Sequence, residues 1–62
     1  MKKWQVIAIA ENTLFALKGQ IPDSEYESFW QGIERRSTRM KKAELYEMFA
    51  PIHKRYFEIR ER

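Results

Sequence analysis

The second half of the chain carries its large side chains in two runs of the same 4-3-4-3 spacing, out of phase by one residue. The first run is Tyr26, Trp30, Ile33, Ser37 and Met40, with Phe29 beside it. The second is Leu45, Phe49, Ile52, Tyr56 and Ile59. Spacings of three and four place side chains on one face of an α-helix, because successive residues sit ~100° apart around its axis. A strand would need strict alternation instead. The next member of the first run would be Glu44, yet the apolar pattern resumes at Leu45, which predicts a bend or break near Lys41–Ala43. Pro51 falls inside the second run and is expected either to kink one helix or to start a new one.

The first third reads as a helix from about Lys3 to Lys18, with Ile7, Ala10, Leu14 and Leu17 spaced 3-4-3 and Gly19 placed for a left-handed cap. A rival reading takes Trp4–Ile9 as a strand and Glu11-Asn12 as a hairpin turn. Helix is preferred because the segment is rich in alanine and leucine and holds no breaker. Ile21-Pro22-Asp23 makes a corner, after which Ser24-x-x-Glu27 has the form of a capping box. The expected fold is therefore all-α: one domain over residues 1–62, a three- to four-helix bundle or a helical hairpin, with self-association open.

A chain of 62 residues buries only ~60% of the surface its unfolded form exposes. Without cysteine there is no disulfide framework, and a single histidine excludes the usual zinc constellations. The core must come from apolar packing, for which nine aromatic residues are a generous supply. Met1-Lys2-Lys3 resembles the basic start of a signal peptide, but the apolar stretch Trp4–Ile7 is too short and Glu11 ends it. No apolar run reaches the ~20 residues a membrane span needs, so a cytoplasmic location and no membrane partner are expected.

A net charge of +3 permits contact with nucleic acid or an acidic protein surface. Arg35, Arg36, Arg39, Lys41 and Lys42 form the densest cationic cluster. On a continuous helix Arg35, Arg39 and Lys42 would make one strip opposite Ile33, and arginine suits bidentate contact with phosphate. Glu34 is expected mid-helix on the flank of the apolar seam, where it and Thr38, one turn on, could meet a partner's arginine. Asp23 and Glu25 read more simply as charges complementing a helix N-terminus. The rings of Trp30, Phe49 and Tyr56 fall on the seams and read as core, not as a base-stacking platform. Phe29, Tyr46 and Phe57 lie off the stripe centres and are candidates for an exposed interaction patch. Ser37 and Gly32 are small enough to let a second helix approach. His53 has no nucleophile or orienting partner at helical spacing, and no Gly-rich phosphate loop exists. No enzyme activity, metal or cofactor is implied.

From Asp23 to Glu47 the chain resembles the Hha/YmoA family of small helical modulators of gene expression. The family pattern D-x-E-L-x-x-F-Y-x-A-A-D-H-R-x-A-E-L, with a later L-Y-D, is matched in identity at Asp23, Glu25, Phe29, Arg36, Leu45 and Tyr46, without gaps. Tyr26, Trp30, Glu34, Met40 and Glu47 match in type. The family's A-A-D-H-R stretch stands here as Gly32-Ile33-Glu34-Arg35-Arg36, and its closing P-x-x-V-W is replaced by Pro51 with Tyr56-Phe57 at another distance. The resemblance implies a non-enzymatic co-regulator that associates with the N-terminal dimerisation region of the nucleoid protein H-NS. Glu34 would then face arginines of that partner, and Arg35, Arg36 and Arg39 would add positive potential near DNA.

Three functions are expected from these features. The first is a bacterial protein-binding modulator of transcription, acting through a nucleoid-associated protein with weak nonspecific DNA contact. The second is a small phage or plasmid protein that binds and inhibits a host protein. The third is a direct DNA-binding helical dimer.

Overall fold

A computed structural model describes residues 1–35 and 39–61. Among them are three helices and no strand: α1 (Lys3–Ala16), α2 (Asp23–Glu34) and α3 (Lys42–Arg60). The hairpin alternative for Trp4–Asn12 is thereby excluded. The helix expected from Lys3 ends near Ala16, where the Leu17 and Lys18 N–H groups donate to the Leu14 and Phe15 carbonyls. Gly19 takes φ +80°, the left-handed turn that glycine enters at no steric cost.

The core is assembled from one stripe per helix. Val6, Ala10 and Leu14 of α1, with Leu17 and Ile21 just beyond it, meet Ile33 of α2 and Leu45, Phe49 and Ile52 of α3. On α3 the spacing read from the sequence holds, with Tyr56 and Ile59 continuing it half-buried. On α1 the stripe rotates slightly: Val6 takes the buried place expected of Ile7, which packs at the edge. On α2 only Ile33 is fully buried, while Tyr26, Phe29 and Trp30 pack half-exposed against the core. Ser37 lies outside the described residues.

Two expectations about α2 are corrected. The Ser24–Glu27 capping box does not form, because the helix starts earlier. The Pro22 carbonyl accepts from Tyr26 N–H at 3.0 Å, which makes Pro22 the cap and Asp23 the first helical residue. Pro22 has the fixed φ and needs no N–H at that place, and Asp23 and Glu25 then face the helix dipole favourably. The break between the stripes comes sooner than Lys41–Ala43, since α2 ends at Glu34. α3 then begins at Lys42, the Lys41 N–H donating to Glu44 Oε1 at 3.4 Å.

Pro51 neither starts a helix nor ends one. It lies within the 19 residues of α3 on the solvent side, where the Glu47 carbonyl that loses its helical donor can turn to water.

Two contacts give the helix directions. Tyr46 Oη donates to Met1 Sδ at 3.6 Å, which brings the starts of α1 and α3 together. Arg55 Nε donates to Glu25 Oε1 at 2.8 Å, which brings the start of α2 beside the last third of α3. Thus α1 and α3 run the same way and α2 runs against them.

Candidate binding surfaces

The predicted site residues do not share one helix face. Glu34 is exposed, but it is the last residue of α2 and not a mid-helix flank of the seam. Arg35 is the C-terminal cap of that helix, Arg39 lies in the connection, Lys41 caps α3 and Lys42 opens it. The single strip of Arg35, Arg39 and Lys42 is therefore not formed, since it required one helix through all three. Arg36 and Thr38, and with Thr38 the proposed pair with Glu34, lie outside the described residues.

The fold gathers charge in a different way. Because α1 and α3 begin at the same end of the bundle, Lys2 and Lys3 join Lys41 and Lys42 there, and Arg39 stands two residues before Lys41. All five are exposed. The N-terminal, positive ends of two helix dipoles point the same way. Lys2 N–H is held by Gln5 Oε1 at 2.7 Å, so α1 starts firmly at this end. Carboxylates are also present nearby, at Glu44 and Glu47 on α3. Neither Lys2 nor Lys3 stands out in the sequence, where they lie nearly forty residues from the cluster they join.

The exposed rings divide between two sides. Tyr46, Ala50, His53 and Phe57 are spaced 4-3-4 on α3, a second stripe about 100° round from the core stripe. Tyr46 is 50% and Phe57 61% exposed, as their places off the stripe centre led one to expect. Phe57 meets Tyr56 edge-on, with centroids 5.9 Å apart, and the Arg60 guanidinium stands 5.6 Å from the Tyr56 centroid. Phe29, expected in that patch, instead packs half-buried against the core on α2. Its place between Tyr26 and Ile33 on the inner side of the helix accounts for this.

The other side was not legible in advance. Trp4, Ala8 and Phe15 form a second stripe on α1, facing away from Val6, Ala10 and Leu14. Trp4 is 65% and Phe15 58% exposed. Phe15 meets Trp30 with centroids 4.9 Å apart, and Trp30 meets Tyr26 edge-on at 6.2 Å, so α2 covers one end of this stripe. The signal was present: α1 is apolar nearly all round, which a single core stripe does not use up.

Gly32 has open space where a Cβ would stand, so none of the described helices makes use of its small size. Among the described residues no group of acidic, histidine or cysteine side chains is arranged to hold a metal ion. None of the described helices is long and apolar enough to cross a membrane. No protein-family model, no curated protein and no solved structure matches the chain.

Proposed function

We propose that this protein is a non-enzymatic binding module that modulates bacterial gene expression through a nucleoid-associated protein such as H-NS. The observation that carries the protein-binding part is the second stripe on α3. Tyr46, Ala50, His53 and Phe57 lie along the longest helix, beside a core stripe that is already satisfied by α1. Exposed rings in helical register are the anchors by which a helix docks on another protein. The resemblance over Asp23–Glu47 supports the choice of partner, and Glu34, exposed at the end of α2, is available to an arginine of that partner. The basic end supports a weak, sequence-independent contact with DNA through Arg35, Arg39, Lys41 and Lys42, each of which is exposed.

The test compares two charge reversals against the N-terminal dimerisation region of H-NS and against duplex DNA at two salt concentrations. Glu34→Lys is expected to weaken protein docking and leave DNA contact intact. Arg39→Glu/Lys42→Glu is expected to do the reverse, and to reduce the salt dependence of DNA binding by ~0.9 in slope for each phosphate no longer neutralised. DNA binding that depends on Arg39 and Lys42, with no docking to the protein, would replace this reading by a direct DNA binder.

A second reading is a phage or plasmid protein that inhibits a host protein, and the exposed Trp4 and Phe15 favour it. They add a ring surface on α1 that the resemblance does not call for. Docking to a host enzyme that depends on Trp4 and Phe15, and not on Glu34, would decide for that reading.

A further inference from the structure

The end at which α1 and α3 both begin combines two features that separate surfaces of the chain hold singly. It is the most cationic part of the described molecule, with Lys2, Lys3, Arg39, Lys41 and Lys42 brought together by the fold. It also carries two large exposed rings, one on each of the two sides on which the exposed rings lie. Trp4 follows Lys3 in the first turn of α1, and Tyr46 stands one turn beyond Lys42 on nearly the same face of α3. We propose that this end is a binding site for single-stranded nucleic acid. Its lysines and Arg39 contact the phosphates, and Trp4 and Tyr46 offer ring faces to unpaired bases.

The choice of ligand follows from the rings and from the carboxylates. A duplex keeps its base faces stacked, so it could use the charges here but not the indole of Trp4. A single strand uses both, since base–aromatic stacking depends on a π-face that every base has. A flat anionic bilayer would also attract the lysines. It would meet the whole end at once, however, including Glu44 and Glu47. The proposal deepens the DNA contact of the proposed function and rests on that part of it, not on the protein partner.

The test measures binding of fluorescent oligothymidylate, of a duplex of equal length and of vesicles rich in phosphatidylserine to the full chain at low and moderate salt. Oligothymidylate is expected to bind more tightly than the duplex. Trp4→Ala is expected to weaken it about 5- to 150-fold, the range for loss of one stacked base. Lys2→Glu/Lys3→Glu is expected to weaken it by a similar factor and to flatten its salt dependence by about 0.7 for each phosphate no longer neutralised. Phe57→Ala, at the far end of α3, is expected to leave it unchanged. Trp4 is exposed, and Lys2 caps α1 while Lys3 opens it, where glutamates face the helix dipole favourably, so all variants should melt as the parent does. Equal affinity for duplex and single strand, with Trp4→Ala inert, would overturn the proposal while leaving nonspecific DNA contact standing. Vesicle binding without oligonucleotide binding would overturn it in favour of a membrane surface, and no binding to any of the three would remove the DNA contact as well.

Discussion

Arg55 and Glu25 are thirty residues apart in sequence, and Arg55 Nε lies 2.8 Å from Glu25 Oε1, joining α3 to the first turn of α2. Arg55 also reaches Glu58 at 3.5 Å, one turn further along its own helix. Both members of the α2–α3 pair are roughly a quarter to a third exposed, so the bond is screened and modest. It matters because α2 brings only one fully buried side chain, Ile33, to the core. Glu25→Ala is expected to lower stability by about 0.5–1 kcal/mol. Amide exchange should quicken in α2 before it does in α1 or α3. Unchanged exchange in α2 would mean that ring packing alone holds that helix.

The two glycines should respond oppositely to alanine. Gly19 has φ +80°, which a Cβ disfavours whatever the surrounding space, so Gly19→Ala is expected to cost about 1 kcal/mol. Gly32 lies inside α2 with nothing within 4 Å of an added Cβ. Gly32→Ala should therefore stabilise the domain by about 0.5–1 kcal/mol. Thermal melts of the two variants check the signs directly. Destabilisation by Gly32→Ala, or loss of self-association in that variant alone, would show that a second copy packs against α2.

Pro51 interrupts the hydrogen bonding of α3 without ending the helix. Replacing it with alanine restores a donor to the Glu47 carbonyl, so Pro51→Ala is expected to raise stability by about 1–3 kcal/mol, less the unfolded-chain entropy that proline removes. A lowered melting temperature would contradict this and point to a conformation of α3 that needs the proline.

Much of the fold was legible in the second half of the chain, where Leu45, Phe49 and Ile52 fall on the stripe and are all buried. Spacing alone sufficed there because α3 has one well-packed face, and Phe49→Ala is expected to cost about 3–5 kcal/mol, enough to unfold much of so small a domain. The end of α2 was not legible. A regular pattern through Ser37 and Met40 concealed the end of α2 at Glu34, since hydrophobic phase alone does not say where a helix is capped. The site was only partly readable for a related reason. Tyr46 and Phe57 stood off their stripe and proved exposed, whereas Lys2, Lys3 and Trp4 join the basic end only once α1 and α3 lie in the same direction.

The central claim is that the chain docks on a nucleoid-associated protein, with Tyr46 and Phe57 as anchors and Glu34 as the charged contact. The most direct measurement is a calorimetric titration of the full chain into the N-terminal dimerisation region of H-NS, in nuclease-treated solution at moderate salt. Saturable binding is predicted, which Tyr46→Ala/Phe57→Ala weakens by at least tenfold, or ~1.4 kcal/mol, without loss of helicity. Absence of heat and of co-migration with that region, from a chain that is folded and helical, would contradict it.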